Sequence, residues 1–392
     1  MTVSKVPYHV MTKPIGPLCN LDCKYCFYLE KEALYDENQR WKMSEEVLEA
    51  YVREYIQSQP GNQPITFAWQ GGEPTLCGVN FFRKAVAFQK KYSGGRQIDN
   101  AFQTNGTLLD DDWCRFFKDE NFLIGLSIDG PAKLHDAYRV GRDGGASHAD
   151  VMRGLDFLKK HDVEFNTLTC VHRKNVDNPL DVYRFLRGIG SKYLQFIPIV
   201  ERRPNALALK WGLSHAAPSD DEDNSPVYPW SVPSKGYGEF MFKIFERWIK
   251  KDVGRIYVQL FDIALAKWLK VPAGLCIFEE TCGSALAIEH DGSLYSCDHY
   301  VYPTHKLGKL GEKSLAEMVE SPAQQQFGKN KRDTLPRQCR ECDYRFACNG
   351  GCPKQRFLHT EDGERGLNYL CAGYYHFFQS ADPYLRQMAQ LY

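Results

Sequence analysis

The sequence lacks an excess of charge of either sign: 49 basic side chains stand against 49 acidic ones in 392 residues. Nucleic acid and anionic membranes recruit positive charge, so neither is expected as a partner. No uninterrupted apolar run reaches the roughly 18 residues that a membrane helix needs. The first ten residues hold no apolar core of a secretory signal. No low-complexity arm and no internal repeat is visible. These absences point to a soluble cytoplasmic chain. A hydrophobic content of 43% and a charged content of 25% are enough for a sizeable core.

Against that background the 14 cysteines stand out. Disulfides do not persist in a reducing cytoplasm, where cysteines more often bind metals or react. Their grouping is the main signal.

The first half alternates between two periodicities. Strands are expected at 8–13, 65–69, 98–104, 122–128, 164–171 and 193–198. Helices are expected between them at 44–59, 79–92, 110–120, 148–161 and 178–189. Ser44 followed by Glu45 and Glu46 makes a helix start, with a capping hydroxyl and acidic first-turn residues. Such alternation builds a parallel sheet with crossover helices. Six strand–helix units give a partial (β/α)6 barrel rather than a closed eight-fold one. This first region is expected to span 1–235. Its last part, 201–235, is rich in Pro, Ser, Asp and Asn and reads as a surface excursion or linker with the acidic run Asp220–Asp223. A connecting segment at 236–271 carries an amphipathic helix at 237–251. A third region, 272–392, holds eight of the cysteines.

Cys19, Cys23 and Cys26 form a C-x3-C-x2-C group just after the first strand. Three thiolates on one tight loop can hold three irons of a four-iron cube and leave the fourth open to a non-protein ligand. A zinc site is the competing reading, but it calls for a fourth ligand. The C-terminal set is Cys276, Cys282, Cys297, Cys339, Cys342, Cys348, Cys352 and Cys371. Eight thiolates suffice for two fully ligated four-iron clusters. Two zinc sites would use them too, and spacing alone allows many pairings. Cys77, Cys114 and Cys170 remain over and read as ordinary buried residues.

The C-x3-C-x-aromatic-C spacing, with Tyr25 as the aromatic, resembles the signature of radical S-adenosylmethionine (SAM) enzymes. Gln70-Gly-Gly-Glu-Pro74 after the second strand is similar to their glycine-rich SAM-amine motif. The resemblance implies SAM contacts at Tyr25, Gly72, Ser127, Arg139 and Leu194, with the Arg139 guanidinium suited to the SAM carboxylate. The C-terminal cysteine order resembles the SPASM domain of peptide-modifying radical SAM enzymes. That likeness implies one auxiliary cluster on Cys276, Cys282, Cys297 and Cys352, and another on Cys339, Cys342, Cys348 and Cys371.

Within that group the chain looks most like the anaerobic sulfatase-maturating enzymes. The likeness rests on Cys26-Phe-Tyr28, 67–76, 102–107, Gly125-Leu-Ser-Ile-Asp-Gly-Pro131, Leu194-Gln-Phe196 and 291–298. It implies three [4Fe–4S] clusters, SAM, and oxidation of a Cys or Ser in a sulfatase to Cα-formylglycine. A deoxyadenosyl radical would take hydrogen from the substrate Cβ, an auxiliary cluster an electron, and Asp298, beside Cys297, the proton. The implied partners are an unfolded sulfatase peptide of Cys/Ser-x-Pro-x-Arg type and an electron donor such as flavodoxin or ferredoxin. Tyr28 and Gln70 are candidates for the pocket lining, whereas His290 and His299 read as structural or solvent-facing. Two other readings compete. One is a SPASM maturase that crosslinks a ribosomal peptide, disfavoured because the cysteine loop begins by residue 19. The other is a non-enzymatic iron–sulfur electron carrier, which gives no reason for an open three-cysteine loop beside a glycine-rich turn.

Overall fold

The computed structural model describes residues 2–36, 38–219 and 225–391. Six strands follow the expected order: β1 (His9–Lys13), β2 (Ile65–Trp69), β3 (Ile98–Thr104), β4 (Phe122–Ser127), β5 (Phe165–Val171) and β6 (Tyr193–Pro198). They pair as parallel neighbours in sequence order. Helices Glu45–Ser58, Val79–Tyr92, Asp111–Asp119, His148–Lys160 and Pro179–Gly188 fill the crossovers. Local chemistry sets their starts. Ser44 accepts from the Val47 amide, and Asp110 accepts from the amides of Asp112 and Trp113, so orphan first-turn donors are satisfied.

The sheet does not stop at six strands. β7 (Tyr257–Val258) extends it beyond β6. At the other edge β8 (Ala285–Glu289) pairs parallel with β1, and β9 (Ser293–Tyr295) and β10 (Lys306–Lys309) continue as an antiparallel meander. The result is one ten-stranded sheet that crosses from the barrel into the C-terminal cysteine region. β8 gives no alternating signal because four of its five residues are buried, those on both faces included.

The excursion is also less free than a linker. Arg202 bridges to Val227, and Ala208, Leu213 and Ala217 pack with Tyr302 from the C-terminal region. Small apolar side chains scattered among polar ones carry little periodic signal, which is why this packing is not legible in the sequence. The acidic stretch 220–223 lies outside the described residues.

The C-terminal helix, Cys371–Ala389, seats on the connecting helix, Ser234–Lys251, through two glycines. A Cβ on Gly238 would stand 2.2 Å from the Gly373 carbonyl oxygen, and one on Gly373 would stand 2.1 Å from that of Ser234. The crossing fixes where Cys371, the first residue of its helix, is held. Gly238→Ala should therefore push the helices apart and cost about 1–3 kcal/mol of stability. A lowered Tm together with reduced iron content would register both consequences.

Candidate functional site

The loop after β1 packs against the turn after β2 backbone to backbone. Gly72 N–H donates to the Gly16 carbonyl, and Glu73 N–H to that of Leu18, each at 2.8 Å. A Cβ on Gly72 would lie 1.8 Å from the Leu18 oxygen. Glu73 then ties this turn to the next one. Its buried carboxylate accepts from the Thr75 amide (3.0 Å) and hydroxyl (2.7 Å), the Thr104 hydroxyl (2.8 Å) and the Asn105 amide (2.8 Å). Asn105 in turn reaches Asn20 at 2.9 Å and the Cys19 sulfur at 3.8 Å. The cysteine loop is thus clamped by the ends of β2 and β3. Burial pushes the thiols of Cys19, Cys23 and Cys26 up, Cys19 to about 12, and neighbouring thiol charge within the trio adds to each of Cys19 and Cys23. Three thiols that resist ionising alone suit a cationic iron core that would take them as thiolates.

Beyond the carboxyl end of β4, Asp129 gathers a buried polar group. It accepts from the Tyr25 hydroxyl and the Cys170 amide (2.9 Å) and pairs with Arg139 Nε at 3.2 Å. Burial would raise the Asp129 carboxyl, but the Arg139 guanidinium and then His172 outweigh it and hold the group far below the usual carboxylate range. Strand alternation sorts the neighbours. Gln103 Nε2 donates to Ser127 Oγ at 2.8 Å on one face. Leu126, Ile128, Leu194 and Phe196 share the core formed with the helices on the other.

The eight C-terminal cysteines separate into two sets. Burial dominates the thiol of Cys297, followed by charge on Cys352 and, further down, Cys276; Cys282 also feels Cys352 and Cys276. Cys371 feels Cys339 and Cys342, and Cys348 feels all three. The loop Asn349-Gly350-Gly351 joins the sets through three consecutive residues at positive φ (46°, 72° and 62°), a path open to Gly and Asn. Its carbonyls are held by two cations. Arg356 donates to Asn349, Gly350 and Gly351, and Lys331 also reaches Asn349. Lys331 is buried and donates to the carbonyls of Glu279 and Asn349, and among the described residues no ion pair neutralises it or Arg356. A buried and a partly buried cation with carbonyl partners match an anionic, thiolate-ligated cluster.

Asp298 lies between the first loop and the C-terminal sets. Lys13, the last residue of β1, pairs with its Oδ1, and the Lys13 ammonium sits 4.3 Å from the centre of the Tyr28 ring. Burial would raise the Asp298 carboxyl, but Lys13, with His299 and Lys354 nearby, outweighs it and holds the group below its ordinary value. The site therefore presents an ionised carboxylate.

Residues 14–186 match the Radical SAM superfamily and 276–343 match an iron-sulfur cluster-binding domain, SPASM. The serine-type anaerobic sulfatase-maturating enzyme of Bacteroides thetaiotaomicron is 47% identical over 97% of this chain and 90% of that one. The chain belongs to the anaerobic sulfatase-maturating enzymes. A cysteine-type relative from Clostridium perfringens is 32% identical, with 98% of each chain covered. The solved structure of native anSMEcpe with bound AdoMet and Cp18Cys peptide superposes with a TM-score of 0.84 at 31% identity, over 99% of this chain and 100% of that one. The cofactors of this sulfatase-maturating enzyme are SAM and three [4Fe–4S] clusters.

Leu194 is 1% exposed and its side chain packs with the helices, whereas its neighbour Gln195 has the opposite orientation. His299 is partly exposed, and its Nδ1 lies 3.5 Å from Cys352 Sγ. Cys77, Cys114 and Cys170 are buried, as expected. The sequence reading missed Lys13, Asp129, Lys331 and Arg356. A lysine closing an apolar strand just before the cysteine loop was the one signal that pointed to Lys13.

Proposed function

We propose that this enzyme oxidises a side chain of a sulfatase peptide to Cα-formylglycine, with serine as the preferred target and Asp298 as the base. The serine-type relative shares 47% of its residues with the chain, against 32% for the cysteine-type one, which supports serine. The Asp298 carboxylate, held ionised by Lys13 beside Cys297, carries the reading.

Cys19, Cys23 and Cys26 would hold the SAM-binding cluster. Cys276, Cys282, Cys297 and Cys352 would hold one auxiliary cluster, and Cys339, Cys342, Cys348 and Cys371 the other. The bound cofactors supply a 5′-deoxyadenosyl radical and an acceptor for one electron. Tyr25, Ser127 and Arg139 line the barrel side as SAM contacts, with Asp129 fixing Arg139 at Nε. Gly72 offers backbone alone, because Leu18 occupies the space of a side chain. Asp298 accepts the proton of the substrate hydroxyl or thiol as the aldehyde or thioaldehyde forms, water then replacing the thioaldehyde sulfur, which leaves as hydrogen sulfide, and Lys13 keeps the carboxylate in place. A cleft of about 790 Å³ between the excursion and the C-terminal region, lined in part by Glu201, Leu207, Pro218, Tyr302 and Phe357, supports an extended peptide as substrate. Fourteen unbridged cysteines support a reducing cytoplasmic setting, and a flavodoxin or ferredoxin is the proposed electron donor. No helix among the described residues is long and apolar enough to cross a membrane.

Anaerobically reconstituted enzyme with SAM, a reductant and matched Ser-x-Pro-x-Arg and Cys-x-Pro-x-Arg peptides tests the reading. Conversion should appear as a loss of about 2 mass units from the serine peptide and about 18 from the cysteine peptide, faster for serine. A faster cysteine peptide would reverse the preference. Deoxyadenosine without any peptide change would remove these peptides as substrates.

A further inference from the structure

His299 follows Asp298 in a short 3-10 helix, Asp298–Tyr300. Its ring packs edge-on against Phe27, with centroids 5.7 Å apart and planes at 77°. Phe27 directly follows Cys26 of the first cysteine loop. On the other side, Nδ1 stands 3.5 Å from Cys352 Sγ. One imidazole thus spans the space between the first cysteine loop and the first auxiliary set. A thiolate bound to iron has no proton to give, so a hydrogen bond at this contact requires the proton on Nδ1.

We propose that His299 donates an Nδ1–H hydrogen bond to the Cys352 sulfur and thereby raises the reduction potential of the auxiliary cluster that Cys352 ligates. A donor to a ligating sulfur draws electron density from it and favours the more negative, reduced state. The electron released as the substrate carbon becomes a carbonyl then has a better acceptor close to Asp298. The inference goes beyond the proposed function and rests on one part of it, Cys352 as a ligand.

The test is an EPR-monitored redox titration of the reconstituted holoenzyme. His299→Phe keeps a ring against Phe27 and removes the donor. His299→Asn returns an amide N–H close to the Nδ1 position. At the wild-type midpoint, the ratio of reduced to oxidised auxiliary cluster should fall about tenfold in His299→Phe, equivalent to about 59 mV for one electron. It should recover most of the way in His299→Asn. An unchanged midpoint in His299→Phe, or equal shifts in both variants, overturns the proposal. If His299→Phe does not retain its iron, wild-type enzyme carrying 15N-histidine decides: a histidine nitrogen coupled to the reduced auxiliary cluster supports the bond, and no coupling overturns it. Cys352→Ala checks the premise separately. Unchanged iron content there would overturn the ligand assignment and the proposal with it, whereas loss of about four irons would uphold it.

Discussion

Asp298→Asn should cut conversion of the sulfatase peptide by about a hundred- to ten-thousand-fold, the usual contribution of a positioned base, while deoxyadenosine continues to form. The two readouts separate because the residues proposed to contact SAM and the proposed base are different. Tyr25, Asp129 and Arg139 form their own bonded group beyond β4, whereas Asp298 pairs with Lys13. The asparagine is nearly the same size, so packing beside Cys297 should survive. It does leave the Lys13 ammonium, 2% exposed, without its carboxylate. Part of the loss could thus come from a displaced lysine, and Lys13→Met measures that part. Equal deoxyadenosine and peptide losses in Asp298→Asn would point to damage of the whole site and against a base.

Gly72→Ala should be the most damaging small substitution in the barrel. The added methyl would sit 1.8 Å from the Leu18 oxygen, 2.4 Å from its carbonyl carbon and 2.7 Å from that of Pro17. All three are backbone atoms, so no side chain can swing away. Relief requires the cysteine loop to move off the β2 turn, which breaks the bonds from Gly72 to Gly16 and from Glu73 to Leu18. A cost of at least about 3 kcal/mol is expected, at the upper end for one methyl group. The measured signs should be a lower Tm and loss of iron from the first loop, with the auxiliary iron largely kept. Gly78→Ala is a useful contrast. Nothing lies within 4 Å of a Cβ there, so its strain comes from the backbone conformation alone (φ 75°, ψ 148°), about 1–3 kcal/mol.

Much of this was written in the chain. The six barrel strands and their crossover helices were legible because each segment carries one clear periodicity and a definite start, as at Ser44 and Asp110. The cysteine spacings were legible because ligands that share a short loop must be close in sequence. The glycine-rich turn could be found from its residues, but its reason could not. Gly72 is small because the Leu18 carbonyl occupies the space of a side chain, a fact about two segments more than fifty residues apart.

The remainder was decided by tertiary structure alone. Which face Leu194 presents depends on strand register, and a shift of one residue would reverse it. The pairing of β8 with β1 joins residues nearly three hundred positions apart, and it is this pairing that brings Asp298 to Lys13. The ionised state of Asp298, the carbonyl-bound charges of Lys331 and Arg356, and the contact of His299 with Cys352 all follow from such meetings. Periodicity and spacing are local, so the sequence by itself determined the elements and the cysteine inventory. Electrostatics and close contact act through space, so only the folded chain determined how those elements form a site.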